Sequence, residues 1–312
     1  MKLSVLIPTY NRLEILQKTL KTLEAQTLPH RDFEVVIIND GSTDDTRDWL
    51  DSYNGKLNIV ALHQKNAGQG IARNNGIKKT QGDIILFLGD DMLPAHPDFL
   101  ELHVKSHEKH YGLEWAALGR IDWPPYLEQN DFMKWMTNGS SIFGKFGGHQ
   151  FAYEKLDRGQ KPDYNFFYTS NLSLKRKFLG DTPFDDDFSK YGWEDIELGY
   201  RLQKKQGMKM MYLKEALTYH DHPMDASGLK NRMIAIGRSA HIIDAKYPEL
   251  NKLPGTFKKI AFYLLSNPLS LIMIWLINEL SRKRLQALYY YAVSKKYFLK
   301  GVNQGIIYKR ES

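Results

Sequence analysis

The amino-acid sequence predicts an α/β protein in which a mostly parallel sheet is flanked by helices and followed by a C-terminal helical appendage. Over residues 1–225, short apolar segments alternate with segments of helical periodicity, which is typical of strand–helix–strand crossovers. One segment, Ile84–Leu88, is apolar at every position, as in a strand buried on both faces. Residues 226–312 are instead basic and amphipathic. A chain of 312 residues is long enough for a large α/β domain and this second region.

Four strands, with helices between them, are predicted before residue 113. The strands cover residues 3–7, 33–38, 57–62 and 84–88. After the first strand, leucines recur at helical spacing at positions 13, 16, 20 and 23. After the third, a glycine-rich turn that begins at Asn66 leads into another helix. Pro94 is expected to stop the fourth strand from continuing.

The pattern changes from about residue 114. Strands are predicted at 115–119, 168–176 and 208–213, the second of them half-buried, and Gly207 is expected to end a helix that begins near Glu194. Residues 122–164 are rich in aromatic residues and glycine, including Gly144, Gly147 and Gly148. This region suits either stacking on sugar rings or an irregular layer that covers the sheet.

The charge is segregated along the chain. Residues 226–312 carry 15 Lys and Arg against 4 Asp and Glu, whereas residues 1–225 carry 28 against 32. A basic tail on a mildly acidic body indicates an anionic partner, either lipid headgroups or nucleic acid.

The sequence has no cysteine, which excludes disulfides, thiolate metal sites and cysteine nucleophiles. The apolar N-terminal stretch is too short for a signal peptide.

Two adjacent carboxylates, Asp90 and Asp91, follow the apolar strand directly. Acids at the carboxyl end of a buried strand lie where open α/β sheets bind ligands. Because the two acids repel each other, a cation is expected beside them, and a hard divalent metal held together with substrate phosphates would fit. The alternative is an ordinary aspartate-rich turn.

Other strand ends carry residues suited to a nucleotide. Tyr10 can stack on a base, Asp40 can accept hydrogen bonds from a base or ribose, and Arg73 can pair with a phosphate. Taken singly, each residue is better explained by a surface, capping or solvated role, but together, on consecutive strand ends of one sheet, they indicate a nucleotide site. Asp195, in the first turn of its helix, suits a helix-dipole contact or a general base. His220 and His222 lie two apart on a strand-like segment and so face opposite sides. Either one of them is a metal ligand, or both are structural or surface histidines.

Five segments in this order resemble the family 2 glycosyltransferases of GT-A fold: Val5–Arg12, Asn39–Asp44, Asn66–Asn74, Phe87–Asp91 and Trp193–Leu198. The resemblance covers about residues 1–225, with a donor half to about 113 and an acceptor half from 114. It implies inverting transfer of a sugar from a nucleotide-diphosphate donor, usually UDP-linked, with Mg²⁺ or Mn²⁺.

The same resemblance implies roles for individual residues. It assigns to the nucleotide site Pro8, Tyr10, Asp40, Asn66, Gly68, Arg73 and Asp90. It assigns the metal to Asp91 and His220, the acceptor to Trp193 and Glu194, and general-base catalysis to Asp195.

One departure from the family pattern concerns Gly89, where many relatives carry an acid, and it puts the ribose contact in question. The sequence also has no Gln-x-x-Arg-Trp motif after the proposed base and no multi-span membrane region, which disfavours a processive polysaccharide synthase.

The tail contains an uncharged run, 260–277, that is interrupted at Ser266, Asn267 and Pro268 and flanked by lysines and arginines. We expect helices on an anionic membrane surface, at the cytoplasmic face, serving a glycan or lipid-linked acceptor of the cell envelope. The alternative is an appendage packed on the body or on a second subunit. Rival functions are a nucleotidyltransferase and a nucleic-acid-binding protein, although no nucleic-acid motif is present.

Overall fold

The computed structural model describes residues 1–138, 153–188 and 192–310, with the side chains of residues 1–137, 153–188 and 192–305. The described residues form two compact units. The sheet unit comprises residues 1–126, 153–188 and 194–222, and the helical unit comprises residues 127–138, 192–193 and 223–310. The helical unit therefore combines the C-terminal region with two segments from earlier in the chain.

In the part of the chain that the structure describes, the sheet unit has eight strands: β1 (Leu3–Thr9), β2 (Phe33–Asn39), β3 (Ile59–His63), β4 (Ile84–Leu88), β5 (Met92–Pro94), β6 (Trp115–Asp122), β7 (Asn171–Lys175) and β8 (Lys209–His220). Their order across the sheet is β3-β2-β1-β4-β7-β6-β8-β5. The pairs β1–β2, β1–β4, β2–β3 and β6–β8 are parallel. The pairs β4–β7, β6–β7 and β5–β8 are antiparallel. The predicted parallel sheet is thus confirmed for its first half, and the second half is mixed.

Helices cover both units. The described helices are α1 (Leu13–Glu24), α2 (Thr46–Asp51), α3 (Gln69–Ile77), α4 (Phe99–Lys109), α5 (Asp131–Asn138), α6 (Tyr153–Asp157), α7 (Arg176–Leu179), α8 (Glu194–Gln206), α9 (Leu229–Lys246), α10 (Thr256–Ser266), α11 (Pro268–Leu280) and α12 (Gln286–Arg310). Of these, α5 and α9 to α12 belong to the helical unit. Helix α8 ends as predicted before Gly207, whose φ of 71° lies in the left-handed region that favours glycine.

Several predictions of local structure hold, and others need correction. Strand β4 is buried at every position, as predicted. Strand β7 is buried rather than half-buried, because it lies between β4 and β6. The last strand runs on to His220, and Pro94 lies within the short edge strand β5 instead of ending strand structure. The region 122–164 contains α5 and α6, while Gly144, Gly147 and Gly148 lie outside the described residues.

The helical unit is built around the crossing of α9 and α12. Gly237 of α9 and Gly301 of α12 face each other there, and a side chain on either would collide with the opposite backbone. His241 and the carbonyl of Val302 add a hydrogen-bond contact of 2.7 Å.

None of the described helices alone has the length and hydropathy to cross a bilayer. Helices α10 and α11 meet both conditions only when taken together, across a 55° bend. Their break at Asn267 confirms the predicted interruption.

Candidate active site

The two carboxylates that follow β4 lie at the edge of the sheet where β1 and β2 also end. Asp90 and Asp91 are both buried. The hydroxyl of Thr9, the last residue of β1, donates to Asp90 Oδ2 at 2.8 Å. Burial and the charge of neighbouring Asp91 raise the pKa of Asp90 to about 6. Both effects disfavour the ionised form of Asp90, so a cation beside the pair stabilises its doubly charged state.

Arg12 supplies a cation to this pair. Its Nη1 donates to Asp90 Oδ1 at 3.0 Å and to Asp91 Oδ2 at 2.8 Å. Burial by itself lowers the pKa of the Arg12 guanidinium, but the two carboxylates outweigh burial and the pKa is raised. Arg12 thus occupies the position for which the sequence predicted a positive charge.

His220 lies beside Asp91 because β8 ends there. Strand β5 pairs with β8 so that Met92 lies opposite His220, and the backbone N–H of Asp221 donates to the carbonyl of Asp91 at 2.9 Å. His220 Nε2 is 3.4 Å from Asp91 Oδ2. The next residue, Asp221, is bound elsewhere, by Lys18 Nζ at 2.8 Å and the Tyr126 hydroxyl at 2.8 Å. Asp91 and His220 are therefore brought together, as the resemblance implied.

Arg73 is buried in α3 with part of its guanidinium unsatisfied. Its Nη2 donates to Gln69 at 3.1 Å, and the guanidinium carbon lies 5.6 Å from the centre of the Phe184 ring. Nε and Nη1 have no hydrogen-bond partner, although Nη1 is 3.7 Å from Asp195 Oδ1. A buried guanidinium with two unused N–H donor groups is costly unless an anion completes it, so this geometry suits a bound phosphate.

Asp195 is held by Thr169. The Thr169 hydroxyl donates to both carboxylate oxygens, at 2.9 and 2.8 Å, and its backbone N–H lies 3.2 Å from Oδ2. Thr169 precedes β7, and because β7 runs antiparallel to β4, with Asn171 opposite Leu88, it starts at the edge where β4 ends. The strand order therefore places Asp195, Arg73 and the acid pair at one edge of the sheet.

The glycine-rich turn before α3 is organised by Asp40. The Asp40 carboxylate accepts hydrogen bonds from the backbone N–H groups of Ala67 and Gly68, at 2.9 Å each, and from the Gln64 side chain at 2.7 Å. Gly68 has a φ of 91°, a conformation that few other residues adopt. Asn66 donates to the Asp40 carbonyl at 3.0 Å. Asp40 thus fixes the shape of the turn.

The remaining predicted site residues differ in exposure. Pro8 lies buried within β1, whereas 46% of the Tyr10 surface is exposed, so this ring is available for stacking. Glu194 is buried at the start of α8. Trp193 belongs to the helical unit, where its indole N–H donates to the carbonyl of Ile236 at 3.0 Å.

Gly89 is constrained by the acid pair. A β-carbon at this position would lie 2.9 Å from Asp91 Oδ1 and 3.0 Å from Met92, so an acid there would displace the Asp91 carboxylate. In α3, Gly76 packs closely on Leu6 and Ile38, and a β-carbon there would collide with both side chains.

Sequence reasoning missed three residues of this site: Thr9, Arg12 and Thr169. The signal for Arg12 was present, since two adjacent acids require a cation and Arg12 follows the first strand in the quoted segment. No local pattern marks Thr9 or Thr169, whose partners are 81 and 26 residues away.

Solved structures share this architecture. S. aureus TarS, residues 1–349, superposes with a TM-score of 0.54 at 18% identity, covering 100% of this chain and 92% of that chain. The mannosyltransferase PcManGT from Pyrobaculum calidifontis, in complex with GDP-Man and Mn²⁺, superposes with a TM-score of 0.61 at 19% identity, covering 98% and 87%. At these identities the likeness shows the fold alone, which is GT-A.

The sequence comparisons identify the family. The profile of glycosyl transferase family 2 matches residues 4–179. Validoxylamine A glucosyltransferase from Streptomyces hygroscopicus subsp. jinggangensis (strain 5008) is 32% identical over 229 residues, which are 69% of this chain and 54% of that protein. The uncharacterized glycosyltransferase YfnE of Bacillus subtilis (strain 168) is 28% identical over 73% of this chain and 67% of its own length. The chain therefore belongs to glycosyl transferase family 2, and it spans about half the length of the first relative.

Proposed function

We propose that this protein transfers a sugar from a nucleoside-diphosphate sugar, UDP-linked, to a hydroxyl group of a glycan or lipid-linked acceptor, with inversion at the anomeric carbon. One observation carries the proposal. The buried, partly unsatisfied guanidinium of Arg73 lies 3.7 Å from the carboxylate of Asp195. A phosphate-binding cation beside a carboxylate is what displacement of a diphosphate by a hydroxyl requires.

Each residue of this pair has a distinct role in the reaction. The unused N–H groups of Arg73 bind diphosphate oxygens, on which negative charge grows as the glycosidic bond breaks. Asp195 accepts the proton of the acceptor hydroxyl while the oxygen attacks the face opposite the diphosphate. Thr169 holds the Asp195 carboxylate in a fixed orientation through its hydroxyl. Trp193 and Glu194 remain our proposed acceptor contacts.

The residues present fit a divalent metal. Asp91 Oδ2 and His220 Nε2 are 3.4 Å apart, close enough to bind one cation. No group of three metal-ligating side chains occurs in the described ranges, so donor phosphates and water would complete the ligands, as is usual for Mg²⁺. When bound there, Mg²⁺ or Mn²⁺ would neutralise charge on the leaving diphosphate. Without a metal, Arg12 is the cation beside Asp90 and Asp91.

The ligands of the structural neighbours support a nucleoside-diphosphate sugar as donor, and family membership supports the class of reaction. TarS has been solved with UDP and with UDP-GlcNAc, and PcManGT with GDP-Man. Tyr10, Asp40, Asn66 and Gly68 form our proposed nucleotide site, together with Pro8 and Asp90. Membership of the glycosyltransferase family favours sugar transfer over the rival nucleotidyltransferase and nucleic-acid-binding functions.

We further propose that the protein works at the cytoplasmic face of a cell membrane, in synthesis of a cell-envelope glycan. Helices α10 and α11 support this location, because their apolar side chains are exposed: Phe257 by 90%, Leu269 by 75% and Leu280 by 85%. Lys259, in the first turns of α10, and the basic run 282–284 after α11 add positive charge. Exposed apolar side chains with basic neighbours are typical of helices that lie in the interface of an anionic bilayer.

The thermal midpoint of the full chain, measured with a panel of nucleotide sugars with and without Mn²⁺, tests the proposal. A donor at a hundredfold excess over its Kd should stabilise the fold by about 2.7 kcal/mol. We expect the increase with one UDP-sugar, only with Mn²⁺, and its loss in Asp91→Ala. The matched control is Asp83→Ala, which removes an exposed carboxylate just before β4 and should leave the increase unchanged.

If no nucleotide sugar changes the midpoint with or without Mn²⁺, donor binding at this sheet edge is refuted. Gly89 would then mark a real loss of the donor site.

A further inference from the structure

The helical unit contains a cavity of about 420 Å³, a volume typical of sites for small molecules. Three helices line it with residues at helical spacing: α9 with Arg232 and Ile236, α10 with Lys258 and Phe262, and α12 with Lys295 and Phe298. Trp193 and Lys252 complete the wall from outside these helices. The cavity lies wholly within one unit and is separate from the acids of the candidate active site.

The charge that lines this cavity has one sign. Arg232, Lys252, Lys258 and Lys295 all contribute, and none of the described lining residues is acidic. Lys252, Lys258 and Lys295 form no ion pair with a carboxylate in the described part of the chain. Three lysines around one cavity, with no carboxylate paired to them in the described residues, attract an anion from outside.

Two of these cations, Lys252 and Lys295, lie against aromatic rings. Lys295 Nζ lies 4.5 Å from the centre of the Tyr291 ring and 5.0 Å from that of Phe262. Lys252 Nζ lies 4.7 Å from the Trp193 ring. Burial lowers the pKa of Lys295 to about 8 and also lowers the pKa of Lys252. An arriving anion would relieve the cost of keeping both ammonium groups charged.

The organic part of the ligand follows from the rest of the wall. Trp135, Met136 and Phe298 add apolar surface to the aromatic rings, so a bare inorganic anion would leave most of the cavity unfilled. Lys258 and Phe262 of helix α10 line the cavity, and Lys258 is also exposed, as are the apolar residues Phe257, Tyr263 and Leu264 of the same helix. One helix therefore joins the basic cavity to an apolar surface.

We propose that this cavity binds a phosphate or diphosphate ester, with its phosphate on Lys252, Lys258 and Lys295 and its organic substituent against the aromatic side chains. Two sources share this chemistry: the headgroup of a lipid phosphate, whose chain would follow α10, and a soluble phosphate ester. The site shares Trp193 with our proposed acceptor contacts, but anion binding there does not require the transfer reaction.

Titration of the thermal midpoint of the full chain tests the site, with farnesyl diphosphate and inorganic pyrophosphate as probes and sulfate at equal ionic strength as the blank. We expect Lys295→Met to weaken the binding of farnesyl diphosphate at least tenfold. The matched control, Lys296→Met, removes the adjacent exposed charge of α12 and should change it less than twofold. Lys295→Arg should retain binding, and Lys252→Met serves as a second cavity variant.

The two probes also distinguish the sources. Farnesyl diphosphate that binds at least tenfold more tightly than pyrophosphate supports the site with a lipid phosphate, whereas equal binding supports it with a soluble one.

Three results would overturn the proposal: no midpoint shift with either probe, equal affinities in wild type and Lys295→Met, or equal losses in Lys295→Met and Lys296→Met. Pyrophosphate also suits Arg73, so the difference between variants, rather than the shift itself, locates the site. Since neither variant alters the sheet unit, a negative result leaves the proposed transfer reaction standing.

Discussion

Two arginines of the candidate active site lie beside carboxylates, whereas two lysines that line the cavity of the helical unit lie against aromatic rings. Arg12 contacts Asp90 and Asp91, and Arg73 lies beside Asp195. In the helical unit, Lys252 faces Trp193, and Lys295 faces Phe262 and Tyr291. Both arrangements keep positive charge partly away from water, but only the first also supplies negative charge.

The difference has an energetic consequence. The attraction of a carboxylate partner compensates much of the hydration that a buried cation loses. Removing the cation therefore destabilises the fold, because the carboxylate remains buried without a compensating charge. A desolvated cation on a ring recovers about 0.5–2 kcal/mol, so its removal should relieve the fold. The sheet unit is therefore organised around its own charges, and the cavity of the helical unit is organised for a charge that comes from outside.

The largest effect is expected where the cation and carboxylate act on substrate. Asp195→Asn should lower turnover by about 10²- to 10⁴-fold, because an amide cannot accept the hydroxyl proton. The measurement is release of nucleoside diphosphate from the donor that shifts the midpoint. That donor-induced shift should persist, which would show that the variant folds and binds.

The control is Asp181→Asn, whose side chain is 70% exposed, and it should keep normal turnover. Near-normal turnover in Asp195→Asn would show that this residue is not the general base, and the carboxylate beside Arg73 would then have no role in the reaction.

A smaller effect is expected on stability when Arg12 is removed. Arg12→Met should lower the free energy of unfolding by about 2 kcal/mol, because Asp90 and Asp91 then lose their charged hydrogen-bond donor. Denaturant unfolding measures this loss. Added Mn²⁺ should restore more stability to the variant than it adds to wild type, since Asp91 no longer binds the guanidinium.

Arg31→Met, which changes an exposed arginine in the same unit, should be neutral. An unchanged midpoint in Arg12→Met would contradict the assignment of Arg12 to the acid pair.

The smallest effect has the opposite sign. Lys295→Met should raise the free energy of unfolding at pH 7 by about 1–2 kcal/mol, because the lowered pKa of Lys295 marks a charge that the fold disfavours and the lost ring contacts offset only part of the gain. Arg232, Lys252 and Lys258, which line the same cavity, are also cationic.

The gain should depend on pH in a defined direction. Wild type is at its full disadvantage below the folded pKa of about 8, and the disadvantage disappears as pH rises toward the ordinary value of 10.5. The stability difference between Lys295→Met and wild type should therefore be larger at pH 7 than at pH 9.5, as followed by urea unfolding. A destabilised Lys295→Met would show that Lys295 is structural.

The sequence by itself determined the elements whose signal is local. The continuous apolar run of β4 and the leucine spacing of α1 predicted a buried strand and an amphipathic helix, and both are present. The acids after β4 predicted a nearby cation, and Arg12 supplies one. The break at Asn267 predicted that the apolar run of the tail would not form one straight helix. Run length, period and charge are properties of neighbouring residues, so a sequence displays them.

The tertiary structure alone decided which distant residues meet. Thr169 contacts Asp195 because β7 runs antiparallel between β4 and β6, and no sequence pattern near Thr169 predicts that strand order. The segment 127–138 joins the C-terminal helices, and the lysines of α10 and α12 line one cavity, only after the helices have packed. These contacts depend on register and on crossing points such as Gly237 and Gly301. Such features arise from the packing of whole elements, and for that reason the local sequence does not contain them.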